Sequence, residues 1–428
     1  MNTSTKTRLV SCILIAALLL SGSLAGFTTL AADGEKETTK IKFYHDNPEL
    51  NEFWKEISNL STEEIGIGLD LVTFNSTDNE KMRVRTDIRT SKAPGLHKWW
   101  FGEQGKPLIE SGLEQNLDGV WDEVESNFNP GIRELASWDG TAYALPFNYS
   151  PWVWFYNKEV FNKYGKEPAD TFEEFMNNMK FFEEKGLNPI GHTYGSPPSW
   201  MSIIMPMELI ARTNYNYWKK LRKGEGSWTG DPVVKAFEIW NEMLTKDFFP
   251  PADWTSSRVA KEFANGNIAY IPMGTWFISY LRDIDFASPD NIGLTMMPSI
   301  TPEGEKVMFA EMTVLMAPKK SPNAEAARKW LKWWGSSKQA AKKFTEKRGI
   351  SPYRGGLFTE KELKELSPLA PRLNELSEQY SNKAVRFWEA FPTEFVSYSV
   401  SQFQQMMDNP DQYMENLENL EKKANEIW

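Results

Sequence analysis

The sequence predicts an α/β protein of two lobes, and three observations carry the prediction. Past a leader, the first stretch alternates strand, helix and strand, the order of a parallel α/β unit. The last third reads as largely helical. Between them, residues 143–161 (YALPFNYSPWVWFYNKEVF) extend, pass Pro146 and Pro151, and extend again, which suits a crossing between two lobes. Length agrees. Of 428 residues, about 397 follow residue 31, too many for one ordinary core at ~100–200 residues per domain.

Each element has a local reason. Lys6 and Arg8 form a basic segment, residues 13–20 an apolar one, and residues 21–32 a small-residue stretch with a cleavage option near Ala31. That is the pattern of an export signal over residues 1–31. Residues 41–45 read as a strand, 49–60 as a helix and 67–74 as a second strand; 79–90 looks helical, and 113–121 turns toward the crossing. There, Asp139-Gly140 accepts positive φ and feeds the β-forming run that follows. The aromatic run 152–156 ends at Asn157-Lys158, ahead of a helix at 159–164. Asp170 or Thr171 ahead of Glu173-Glu174 is a capping pattern that opens a helix over 171–185, stopped by Gly186, Asn188 and Pro189. After a Gly/Ser/Pro loop at 194–198, helices are expected at 199–212, 232–246 and 256–264, and strands at 268–272 and 292–297. Helices at 323–334, 338–347 and 411–427 complete the chain. No internal repeat stands out.

Composition excludes several functions. The formal charge is −10, or −12 without Lys6 and Arg8, which argues against nucleic acid as a partner. The only cysteine, Cys12, lies inside the export signal, so a chain cut near Ala31 has no thiol chemistry and no disulfide. Leu9-Val10-Ser11-Cys12 superficially resembles a lipoprotein box, but here the apolar run follows the cysteine rather than preceding it. Beyond the signal, no apolar run reaches the ~18 residues a membrane helix needs. Three histidines far apart (His45, His97, His192) and no HExxH pattern give no support for a metal site, and no cofactor is indicated. The nucleophile-elbow, phosphate-loop and dinucleotide patterns are also missing. A carboxylate pair for glycoside hydrolysis stays open, since 58 acidic residues always contain some pair at a suitable distance.

Aromatic content is the positive signal. Trp, Tyr and Phe make up 14% of the chain, with 18 tryptophans. Rings of this kind stack on the C–H faces of sugars, or cage quaternary amines. Trp240, and at least two of Trp330, Trp333 and Trp334, sit in predicted helices where packing explains them. Trp99, Trp100, Trp152, Trp154 and Trp276 sit at loop or strand ends beside Gly or Pro, where ligand contact is open.

The order of segments resembles the extracellular solute-binding proteins of ABC importers, in particular the sugar-binding group that includes maltose-binding protein. Ile41-Lys42-Phe43-Tyr44-His45 resembles the opening strand, residues 81–94 with Trp99-Trp100 a following segment, and Tyr143-Ala144-Leu145-Pro146 through Phe155-Tyr156-Asn157-Lys158-Glu159-Val160-Phe161 the family's central block. Asp170-Thr171-Phe172-Glu173-Glu174-Phe175, residues 263–276, and Lys319-Lys320-Ser321-Pro322 with Gly349-Ile350-Ser351-Pro352 continue the resemblance in order. One departure is Pro94-Gly95-Leu96-His97-Lys98, where the family often has Pro-Asp, so that acid's polar contact is lost. The lipid-attachment cysteine at the end of the signal is also missing, which favours a free exported protein in the periplasm or at the outer face of the membrane.

The resemblance implies a type II periplasmic-binding-protein-like fold: residues 40–147 and 310–348 in one lobe, 148–309 and 349–428 in the other, with a ligand cleft between them. Crossings are expected near 148–152, 309–312 and 349–353. It implies ligand contacts from His45, Asp46, Trp100, Glu103, Asn148, Tyr149, Trp276 and Glu311, with Tyr353, Arg354 and Trp388 less well matched; Trp152 joins them from the aromatic reading. The expected protein is a non-catalytic monomer that captures a di- or oligosaccharide and presents it to a membrane permease by lobe closure. Two alternatives stand beside it. One is a binding protein for a betaine-like osmolyte, caged by Trp100, Trp152 and Trp276; the other is a secreted carbohydrate hydrolase.

Overall fold

The computed structural model describes residues 38–129, 131–192, 200–348, 356–380 and 382–428. The export signal with Cys12, the loop at 194–198, the third crossing, Tyr353 and Arg354 lie outside the described residues. Residues Thr38–Trp428 form one unit, in which two hydrophobic cores are joined by shared strands.

The first lobe is built on β1 (Thr39–His45), β2 (Ile67–Thr73) and β3 (Leu96–Trp100), all parallel, with β1 between the other two. A two-residue-a-side hairpin, β4 (Ser137–Trp138) and β5 (Thr141–Ala142), follows. Asp139 and Gly140 make its turn at φ 48° and 77°, the conformation Asp-Gly was expected to accept. Next comes β6 (Leu145–Asn157), one unbroken strand of 13 residues through both prolines. Its first half pairs with β10 (Val307–Met316), itself antiparallel to β3; its second half pairs with β8 (Ile268–Gly274) and β9 (Ile292–Thr295). Two short strands finish the sheet: β7 (Asn188–Ile190) beside β8 and β11 (Asn382–Val385) beside β10.

The cores change over along the shared strands. Tyr149 packs in the first core and Trp152 in the second; Ala310 belongs to the first and Phe309 to the second. The switch runs along the strands: Trp152 to Phe155 and Val307 to Phe309 all lie in the second core, and Val314 to Met316 in the first. Asn157 stops β6 and starts a helix at once, its side-chain oxygen accepting the backbone N–H groups of Glu159 and Val160 at 2.9 and 3.2 Å. At Thr171 the capping box forms in full ahead of helix Phe172–Glu184, worth about 1 kcal/mol at such a cap.

Tryptophan proves to be mainly core material. Trp54, Trp99, Trp121, Trp154, Trp218, Trp228, Trp240, Trp330 and Trp334 are all essentially closed to solvent. Trp330 and Trp334, one helical turn apart, stack at 5.6 Å and 7°, and Trp154 meets Phe175 edge-on at 5.0 Å. Trp99 and Trp154 are therefore packing residues. No helix among the described residues is long and apolar enough to cross a membrane.

Candidate functional site

Where the cores meet, a cavity of about 540 Å³ opens between the lobes. From the first lobe it is lined by Asp46 and Asn47 after β1, Ser76, Thr77 and Asp78 at the start of helix Thr77–Asp87, and Lys98 and Trp100 on β3. From the second lobe come Met201, Ile203, Trp276, Arg386 and Trp388, with Glu311 on the shared strand β10 and Arg348 at the end of helix Lys338–Arg348. Ser76 caps the Thr77–Asp87 helix by accepting the Asn79 N–H, and this fixes the direction in which that helix meets the cavity.

Two clusters of ion pairs organise the polar wall. The Lys98 ammonium lies 2.5 Å from Asp46, both side chains 5% exposed, and the Thr77 hydroxyl donates to the other Asp46 oxygen at 2.5 Å. Burial pushes the Asp46 carboxyl up, but Lys98 and Thr77 together bring it below its ordinary value. Behind it, burial drives Glu80 well above the usual carboxylate range, against the pull of Lys98. On the opposite side, Arg386 forks onto Glu389 at 2.9–3.0 Å and reaches Glu311 at 3.3 Å. Burial raises the Glu389 carboxyl while Arg386 opposes it.

The rings differ in what already covers them. Two ammonium groups lie over Trp100, Lys98 at 4.0 Å and Lys81 at 4.9 Å, and the Arg386 guanidinium stands 5.6 Å from Trp152. Trp276 is half-buried and carries no cation among the described residues. Gly274 lets Trp276 and Trp152 converge: a Cβ there would sit 2.4 Å from the Trp276 Nε1 and 3.1 Å from that of Trp152.

Of the expected contacts, Asp46, Trp100, Trp276, Glu311 and Trp388 come together in this cavity. The other expected contacts among the described residues do not line it. His45, one residue before Asp46 on the strand, faces the other way, stacked on Phe43 at 5.1 Å and bonded through Nε2 to Thr73. Glu103 turns away after Gly102 and sits 3.8 Å from Lys106. Asn148 is closed between strands with its amide on Ser150. Tyr149 packs in the first core, where burial pushes its hydroxyl up, and Trp152 is buried behind Trp276. Lys98, Arg386, Arg348, Asp78, Asn47, the Ser76-Thr77 pair and the apolar Met201 and Ile203 are the lining residues that sequence reasoning missed. The signal for Lys98 was present: it stands in the segment that departs from the family's acidic pattern. No group of His, Cys, Asp and Glu among the described residues could hold a metal ion.

A family model described as bacterial extracellular solute-binding protein matches residues 58–370. The maltotriose-binding protein of Pyrococcus abyssi is 23% identical over 342 residues, spanning 78% of this chain and 70% of that protein. The arabinooligosaccharide-binding protein of Bacillus subtilis is 23% identical over 374 residues, 84% of this chain and 83% of the relative. Among solved structures, a chitin oligosaccharide binding protein superposes with a TM-score of 0.79 at 18% identity, covering 91% of this chain and 99% of its own.

Proposed function

Because this chain belongs to the bacterial extracellular solute-binding protein family, we propose that it is the substrate-binding component of an ABC importer and captures a carbohydrate, a di- or oligosaccharide, for delivery to a membrane permease. Relatives named for maltotriose and arabinooligosaccharides support that cargo class. The observation that carries it is the cavity wall itself. The partly open indole of Trp276 shares one cleft with the carboxylates of Asp46, Asp78 and Glu311 and the guanidinium of Arg386, a ring for a pyranose face beside paired groups for its hydroxyls. A cavity of about 540 Å³ falls within the ~300–1,000 Å³ of ordinary ligand sites.

The same geometry weighs against both alternatives. A betaine cage needs bare ring faces, yet Trp100 and Trp152 already carry the protein's own cations, which repel a second one. A hydrolase needs a protonated acid facing the substrate. Here Asp46, the most enclosed of the cleft's carboxylates, is held ionised by Lys98. We therefore read the protein as a non-catalytic monomer, exported, with no nucleic-acid partner. The lobe limits at 148–152 and 309–312 belong to the same proposal, as do ligand roles for Asp46, Trp276, Glu311 and Trp388.

A thermal-shift and calorimetric panel of maltose, maltotriose, raffinose, stachyose, arabinooligosaccharides and glycine betaine tests this. A saturable rise in melting temperature with one saccharide class, and no product after long incubation, is the expected result. A shift with betaine alone, or release of reducing ends, sinks it.

A further inference from the structure

We propose that Lys81 is a positioning residue for ligand binding: its ammonium group holds the Trp388 ring of the second lobe in register with the Trp100 ring of the first. The inference rests on the reading that the cleft takes a saccharide. The Lys81 Nζ lies 4.9 Å from the centroid of Trp100 and 5.1 Å from that of Trp388, with Trp99 at 5.7 Å. Both Trp100 and Trp388 line the cavity and Lys81 does not. At 4% exposure, the lysine reaches the two rings from inside the protein.

Its position is set by one amide. Lys81 donates to Gln104 Oε1 at 3.1 Å, the Thr393 hydroxyl donates to the same oxygen at 2.7 Å, and Gln104 Nε2 donates to the Trp388 carbonyl at 3.2 Å. The group that anchors the lysine thus also anchors the backbone of the ring it holds, and it joins the two lobes in doing so. Gln104 is fixed in turn, because its own carbonyl accepts the Trp99 indole N–H at 2.8 Å.

Stability alone does not explain a lysine here. The charges around it are Asp78, Glu80 and Arg85 on its own helix, Glu389 from the second lobe and Lys98 over the far ring. Among the described residues none forms an ion pair with it. A buried ammonium with no carboxylate in direct contact costs free energy, and burial lowers its pKa to about 8, against the weaker pull of those carboxylates. A methionine would fill the same volume at no such cost. What only the cation supplies is attraction to two ring faces at once.

The test compares wild type, Lys81→Met, Trp388→Ala and the double variant, with Lys81→Gln as a second uncharged replacement. Each is melted without ligand and titrated by calorimetry with the saccharide that shifts wild type most in the panel above. The expected result is an affinity about tenfold weaker in both uncharged variants, with an unliganded melting temperature equal to wild type or higher. In the Trp388→Ala background, removing the lysine should cost nothing more. Wild-type affinity in Lys81→Met overturns the proposal. So does a lowered melting temperature with losses that simply add, because Lys81 would then only support the fold. If wild type itself binds no saccharide, the functional reading fails first and takes this proposal with it, a result seen before any variant is made.

Discussion

The carboxylate of Glu311, on the strand both lobes share, lies 3.3 Å from the guanidinium of Arg386. Arg386 is held independently by its fork onto Glu389, so Glu311 adds little to fixing it and keeps acceptor capacity for a ligand. Replacing Glu311 by Gln should therefore leave the unliganded melting temperature within a few degrees of wild type. Saccharide affinity should fall by about 10-fold or more, as for loss of a charge-assisted hydrogen bond. Unchanged affinity by calorimetry would remove Glu311 from the ligand site.

Two tryptophans, one on β6 and one in the helical turn that follows β8, should behave in opposite ways. Trp154→Ala empties a fully buried site against Phe175 and Tyr270 and should cost about 3–5 kcal/mol of stability. Trp276→Ala removes a half-buried ring at the cavity wall, so it should weaken ligand binding far more than it lowers the denaturation midpoint. Equal losses of stability in the two variants would contradict this division.

Gly102 and Gly112 share a left-handed backbone, at φ 81° and 69°, but not an environment. A Cβ on Gly102 would stand 2.4 Å from the Glu389 carbonyl oxygen across the lobe contact, and one on Gly112 would meet nothing within 4 Å. Gly112→Ala should cost about 1 kcal/mol for conformation alone. Gly102→Ala should cost clearly more, since the 388–393 segment must also move, and urea unfolding of the pair measures the difference.

Acid should destabilise the protein through two buried histidines. Burial lowers His45 from its ordinary 6.5 to about 4, helped by Lys98, and lowers His192 to about 3. Both are neutral in the folded chain while the unfolded chain takes up protons below pH 6.5, so stability is lost as pH falls from 6.5 toward 4. Each contributes up to about 3 kcal/mol across that window. His45→Gln should flatten the slope of melting temperature against pH between 6.5 and 4. An unaltered slope would show that His45 protonates freely in the fold.

What the sequence disclosed was local. The Asp139-Gly140 turn, the Thr171–Glu174 capping box and the stop at Asn157 each depend on residues a few positions apart, and each formed where it was expected. The central strand Val307–Met316 was anticipated only as a short crossing, because its neighbours β3 and β6 lie far away in the chain. Helix Thr393–Asp408 was missed, its β-branched and aromatic residues masking a helical period.

The site was half legible for the same reason. Asp46 and His45 are adjacent, and alternation sends one to the cavity and the other to the core. Glu103 was chosen and its neighbour Gln104 was not, although the turn at Gly102 puts Gln104 between the lobes. Lys98 and Arg386 acquire meaning only through partners distant in sequence, Asp46 and Glu311. The abundance of tryptophan pointed toward a ligand, yet most of these rings fill the two cores.

Strand β10 lies beside β6 in the first sheet but is synthesised after all of residues 158–306. A nascent chain ending before residue 307 has β3 and β6 with no strand to join them, and exposes apolar edges on both. The first lobe therefore cannot close its sheet until residues 158–306 of the second have been made. A chain ended anywhere in that intervening segment would hold an incomplete sheet rather than a folded lobe.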